Sequence, residues 1–286
     1  QAEDGIRDVE RSRGLGDVYK RQLLEEIAVK PPLNVYLGTL AYSSLFMLAL
    51  FIHEMGHYIV SRIKGVDVSL PYFIPAPPPY GTLGALINMR TLPASIDTLA
   101  EIGIAGPLLG FLASLGVTCI GISLSVPVSE SLLTKMAGEV TFLEYAPISY
   151  SLLYQLLVPK VEGVAILMHP IASAGLFLIF ITFLNLLPAA QLDGGHVARG
   201  VLGEDLHRIV TWIVVIILLM TPYMIFGLII MFLLFLGGGR HPGSMNRLSV
   251  GGKGKIIAGI LYLILIILCI PAPVRSIEIL ALMWST

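Results

Sequence analysis

The sequence predicts an all-α polytopic membrane protein with about five to six transmembrane helices. Three observations carry this. Hydrophobic residues make up 56% of the 286 residues and mean hydropathy is +0.85. Charged residues make up 13%, about half the roughly 25% of a soluble domain. Long stretches carry no Asp, Glu, Lys or Arg at all. A disordered chain or an ordinary soluble globule is thereby excluded. The formal net charge of −1 gives no basic surface for nucleic acid. Two cysteines, Cys119 and Cys269, are too few for a disulfide framework or a thiolate zinc site.

Residues 1–22 stand apart. They hold five basic and five acidic residues, without helical apolar periodicity. They resemble translated sequencing-adaptor sequence, with a disordered polar tail as the alternative. The expectation is a non-native tail at 1–22, a native N-terminus that is missing, and one domain over 23–286.

A spanning helix needs about 20 mostly apolar residues. The charge-free runs 34–53, 102–129, 163–192 and 209–239 qualify, and 256–274 follows as a fifth. Thr221-Pro222 divides 209–239, and the shortness of each half favours a hairpin of two helices over one kinked helix. Basic residues cluster after the first span (Arg62, Lys64, Arg90), at Arg199 and Arg208, and at 240–255. The positive-inside rule therefore places the C-terminal end of the first span in the cytoplasm, and residue 23 outside. Between the first two spans, Tyr72 to Pro79 is too proline-rich for a helix. Thr82 to Met89 is expected to form a strand in a short membrane-associated, re-entrant β-hairpin.

The first span continues into His53-Glu54-Met55-Gly56-His57, an H-E-x-x-H pattern. On a helix, i and i+4 share a face, so two imidazoles converge on one zinc ion while Glu54 stands beside them as a base. Ionisable groups at membrane depth cost roughly 2.5–3.5 kcal/mol each, and metal coordination offsets this. Candidates for a third ligand are His169, His196, His207, His241 and a carboxylate. With the first span starting near Asn34, His53 lies about 28 Å along it. With a parallel third span starting near Ile171, Asp193 lies about 33 Å along it if the helix persists. Asp193 is thus expected as the ligand rather than a solvated carboxylate just past the helix end; His196 is the competing ligand, better suited to a supporting or interfacial role. His169 is about 36 Å from Asp193 along such a helix and is expected at a helix start. The glycines of span two, Gly106, Gly110, Gly116 and Gly121, are expected to allow close helix packing.

These residues resemble the site-2 protease family of intramembrane zinc metalloproteases. The resemblance rests on His53-Glu54-Met55-Gly56-His57, on Ala105-Gly106-Pro107, and on Asn185-Leu-Leu-Pro188 running to Leu192-Asp193-Gly194. The extended form through Gly195-His196, preceded by His169-Pro170, is similar to the archaeal, cyanobacterial and plastid branch. It covers roughly 34–200 well, with additional helices over 207–286. It implies a three-helix catalytic core with one zinc per chain on His53, His57 and Asp193. It further implies Glu54 as the catalytic base, and Asn185 holding the substrate or the developing oxyanion. The implied reaction is hydrolysis of peptide bonds in or near transmembrane segments of single-span proteins, such as an anti-sigma factor or membrane-bound regulator. The implied setting is a prokaryotic cell membrane with the site toward the cytoplasm. Two other readings compete. A prenyl-protein-type zinc peptidase would take a glutamate from the following helix, where only Glu101 stands, at its start. A metal transporter would line several spans with ligands, but spans two and five have none.

Overall fold

The computed structural model describes residues 32–75, 82–129, 140–142, 145–158, 164–221, 223–236, 252–273 and 278–281. The expected tail at 1–22, residues 76–81 of the expected hairpin segment and His241 lie outside them.

Helix α1, Pro32–Ile63, opens on a proline and carries the H-E-x-x-H motif in its final third. It stops where Gly65 takes φ +74, with Val66 N–H bonded to the Ser61 carbonyl and Gly65 N–H to that of Arg62. This nested pair satisfies carbonyls that a helix end leaves open. Strands β1 (Tyr72–Pro75) and β2 (Thr82–Leu86) pair antiparallel, Tyr72 opposite Leu86 and Phe73 opposite Ala85. The expected antiparallel pairing is present, with β2 ending at Leu86 rather than Met89, and an isolated bridge between Val68 and Met89 extends its base.

Helix α2, Ile96–Ser123, starts at an N-cap Ser95 whose hydroxyl accepts from Thr98 N–H, with Asp97 in the first turn. Strand β3 (Val126–Ser129) follows, then β4 (Val140–Phe142), β5 (Tyr145–Pro147), helix α3 (Ile148–Leu157) and strand β6 (Val164–Leu167). Helix α4, Pro170–Asn185, has His169 as N-cap, its Nδ1 accepting from Ile171 N–H. Its position at a helix start is as expected. A turn over 186–192 leads to α5 (Asp193–Leu202), α6 (Glu204–Leu219), α7 (Met224–Leu236), α8 (Lys253–Cys269), β7 (Pro271–Pro273) and β8 (Glu278–Ala281).

The elements form a bundle with α2 at its centre. Helix α2 packs on both α1 and α4, and α1 also meets α4. Tyr42, Leu45, Phe46 and Ala49 of α1 share a cluster with Ile171, Ala174 and Leu178 of α4, so these two helices rise together. Gly121, near the end of α2, sits against Ala172, near the start of α4, so α2 runs the other way. The hydrophobic interior alone does not explain α1. Leu37, Leu40, Leu48, Phe51 and Ile59 are exposed, as expected for a helix facing lipid.

Among the described residues, two helices are long and apolar enough to cross a membrane, the α1 segment Leu37–Ile63 and α2. The expectation for span three needs correction. Helix α4 has 16 residues, about 24 Å, less than the ~30 Å hydrocarbon layer. Its apolar run begins instead with β6, which pairs antiparallel with β3, itself the tail of the predicted second span. Short apolar runs read alike as strand or buried helix, so hydropathy merged them. Small sheets β3-β6-β8-β4 and β5-β7 accompany the hairpin, which an all-α reading omits. The 209–239 run is divided as expected. Ile230 of α7 shares a cluster with Val215 and Leu218 of α6, and Gly227 lies against Leu218 and Leu219, so the chain folds back on itself.

Candidate metal centre

The parallel rise of α1 and α4 brings both motif histidines to Asp193. His53 Nε2 is 3.0 Å from Asp193 Oδ2, and His57 Nε2 is 3.2 Å from Asp193 Oδ1. The two imidazole Nε2 atoms are 3.3 Å apart. His53 and Asp193 are 140 residues apart in the chain. Both histidines are buried. Among the described residues this is one group of three metal-capable side chains.

The donor set fits a catalytic zinc. Ligands about 2.0–2.1 Å from a tetrahedral ion stand about 3.3 Å from one another. The observed separations match that spacing, and two imidazoles with one carboxylate leave a fourth position open. A further contact supports it. His57 Nδ1–H donates to the Ile102 carbonyl at 2.8 Å, which fixes the tautomer and turns Nε2 toward Asp193.

Asp193 reaches the site by a different route from the one expected. The third helix does not persist to it. Helix α4 ends at Asn185, consistent with Pro188 just beyond, and Asp193 is the first residue of α5. A carboxylate in a first helical turn is favoured by the helix dipole. The turn between is tight. Ala190 takes φ +51, a left-handed conformation that costs a non-glycine residue roughly 1–2 kcal/mol. A Cβ on Gly195 would lie 2.5 Å from the Ala190 carbonyl oxygen, and one on Gly194 would strike the Leu186 carbonyl. The two glycines let α5 start directly against the turn backbone.

The glycines of α2 do more than admit a neighbouring helix. A Cβ on Gly110 would lie 2.6 Å from His53 Nδ1, and one on Gly106 would overlap the His57 ring. Gly103 faces His196 and the Asp193 carbonyl in the same way. Glycines four apart on α2 thus seat histidines four apart on the antiparallel α1. Gly116 has nothing within 4 Å, so the packing expectation does not extend to it. The sequence shows this small-residue spacing, but not which partner it faces.

The other candidates separate cleanly. Glu54 is half-buried beside the group and lies within electrostatic range of His53, His57 and Asp193. Asn185 is the half-buried last residue of α4, directly before the turn. His196 sits in the first turns of α5 with its Cβ toward Gly103. His169 is at the far end of α4, and His207 is buried near the start of α6. Glu101 pairs with Lys64 rather than with the histidines.

Comparison with known proteins supplies a family. The model of peptidase family M50, the site-2 protease family, matches residues 41–229. The chain belongs to this family. Both halves of the metal group fall inside the matched segment. This M50 chain is 28% identical over 233 residues to the probable zinc metalloprotease EGY2, chloroplastic, of Arabidopsis thaliana. That match covers 79% of the chain and 40% of the relative. It is 30% identical over 172 residues to Arabidopsis EGY1, covering 58% and 30%. It is 31% identical over 161 residues to EGY1 of Oryza sativa subsp. japonica, covering 54% and 26%. The chain therefore spans less than half the length of these relatives. No solved structure matches.

Proposed function

We propose that this M50 protein is an intramembrane zinc metalloendopeptidase, with His53, His57 and Asp193 holding one zinc ion per chain. The convergence of two imidazoles and a carboxylate from α1 and α5 at 3.0–3.3 Å carries this reading. When bound, zinc supplies a Lewis acid that polarises the scissile carbonyl and lowers the pKa of water toward about 7. Glu54 accepts the proton of the attacking water and delivers it to the leaving amine. The Asn185 amide donates to the backbone of the bound substrate or to the developing oxyanion. The Ile102 carbonyl keeps the His57 ring from rotating out of place.

A substrate helix has its carbonyls paired in mid-span, so it unwinds locally before attack. The β1–β2 hairpin supports a way to hold the unwound strand, by adding it to an edge that is open among the described residues. Single-span membrane proteins, of which an anti-sigma factor or membrane-bound regulator is the type, suit such a site. Five to six crossings, with α6 and α7 as a pair, remain our reading of the helix order. The basic residues Arg62, Lys64 and Arg90 support a site on the positive, cytoplasmic side. The relatives named above are chloroplastic, which lends no support to a prokaryotic membrane in particular.

The pairing of Glu101 with Lys64 weighs against the prenyl-protein-type arrangement, which needs a downstream glutamate on the metal. A single three-residue group among the described residues weighs against a transporter lined by several sites. The deciding experiment compares membrane proteomes of cells carrying wild-type protein or Glu54→Gln. Accumulation of uncleaved membrane stubs with the variant supports the proposal. Identical stub populations, with both proteins expressed and zinc-loaded, would refute it.

A further inference from the structure

We infer that Tyr262 and Thr211, on helices outside the three-helix core, are positioning residues that clamp the turn presenting Asp193. This rests on the zinc reading above. Tyr262 lies on α8, beyond the segment that the family model matches. Its hydroxyl donates to the Leu186 carbonyl at 2.9 Å. Leu186 is the C-cap of α4 and is fully buried, so its carbonyl has left the helix ladder with no access to water. The same oxygen is the atom that a Cβ at Gly194 would strike, so it borders the residue next to Asp193. Thr211 lies on α6 and is buried. Its hydroxyl oxygen accepts from Ala190 N–H at 3.2 Å, at the one described non-glycine residue with positive φ.

The turn is thus held at its start, on the Leu186 carbonyl by α8, and at Ala190, on its amide by α6. At the second of these points the backbone takes a conformation that alanine disfavours. Without the clamps the turn relaxes, and Asp193, one residue past it, loses its alignment with His53 and His57. A metal site tolerates ligand displacements of about 0.2 Å, so a small relaxation is enough.

The test uses the full chain in detergent with Tyr262→Phe and Thr211→Val, each of which removes only hydroxyl chemistry. Zinc affinity is read by competition with a chromophoric chelator, and ligand geometry by the visible absorption of the cobalt-substituted protein. Each variant is expected to bind zinc about tenfold more weakly, the low end of what a lost supporting hydrogen bond costs a metal site. The cobalt bands should shift as well. Ser123→Ala, which removes an intrahelical hydroxyl bond to Cys119 far from the turn, should change neither. Ala190→Gly in the Thr211→Val background should recover affinity, because glycine takes positive φ without support. Wild-type affinity and spectra in both single variants would overturn the inference. Failure of the glycine rescue would overturn the part that runs through Ala190. A wild type that binds no zinc would instead overturn the site reading itself, and the two failures are distinct.

Discussion

Replacing Gly110 by alanine adds one methyl group, and its consequence follows from the contact between α1 and α2. The new Cβ would stand 2.6 Å from His53 Nδ1 and 2.9 Å from His53 Cβ. Ordinary contact begins at 3.4 Å, so the ring or the helix must withdraw by about 0.8 Å. Neither has slack. On the same interface a Cβ at Gly56 would meet the Ala105 carbonyl oxygen at 2.5 Å, so the backbones already touch. Zinc–nitrogen bonds are about 2.0–2.1 Å and tolerate about 0.2 Å. A withdrawal of about 0.8 Å is several times that tolerance, and His53 should cease to be a good ligand. Gly110→Ala is therefore expected to weaken zinc binding by at least about tenfold. Overpacking should also cost about 1–3 kcal/mol of stability, partly offset by about 1 kcal/mol of helix propensity. Gly116→Ala on the same helix, with nothing within 4 Å of its new Cβ, should leave zinc binding unchanged. Chelator competition on purified protein measures both. Wild-type zinc affinity in Gly110→Ala would refute the view that α2 seats the ligand ring.

Other perturbations probe separate parts of the site. Glu54→Gln should keep zinc and abolish cleavage of a model membrane substrate; turnover within tenfold of wild type would remove Glu54 as the base. Asp193→Ala should lower the zinc content found by metal analysis, whereas His196→Ala should not, and full occupancy in Asp193→Ala would exclude it as a ligand. Asn185→Ala should bind zinc normally and lower kcat by about 10²-fold or more if its amide meets the oxyanion; an unchanged kcat would leave it a helix-end residue only. Proline at Ala85 or Leu86 in β2 removes a backbone donor and should depress cleavage while zinc content stays constant. Wild-type rates in both proline variants would show that substrate is not held by backbone pairing.

The motif in α1 was legible without any fold, because i and i+4 meet on a helix through local geometry alone. The pairing with Asp193 was legible for a weaker reason. Depth along parallel spans placed it correctly, yet the continuous helix assumed for span three is absent. Helix α4 ends at Asn185, and a strained turn delivers Asp193 at the head of α5. Hydropathy joined β6 to α4, since a short continuous apolar run carries no periodicity that separates a strand from a buried helix. The hairpin at Tyr72–Leu86 was legible because prolines excluded a helix before an apolar run.

The sequence by itself singled out His53, Glu54, His57, Asn185 and Asp193 as candidates, read the chain as a membrane protein, and showed that basic residues gather after the H-E-x-x-H end of α1. Only the tertiary structure decided what holds those residues in place. Glycine leaves no mark in a hydrophobic pattern, so the seats at Gly106 and Gly110 appear only when α2 is laid against α1. A backbone carbonyl has no sequence signature, so the supports at Ile102 and Leu186 were invisible as well. Local periodicity pairs the two histidines of α1, whereas their alignment with Asp193 depends on contacts between helices distant in the chain, which no local pattern records.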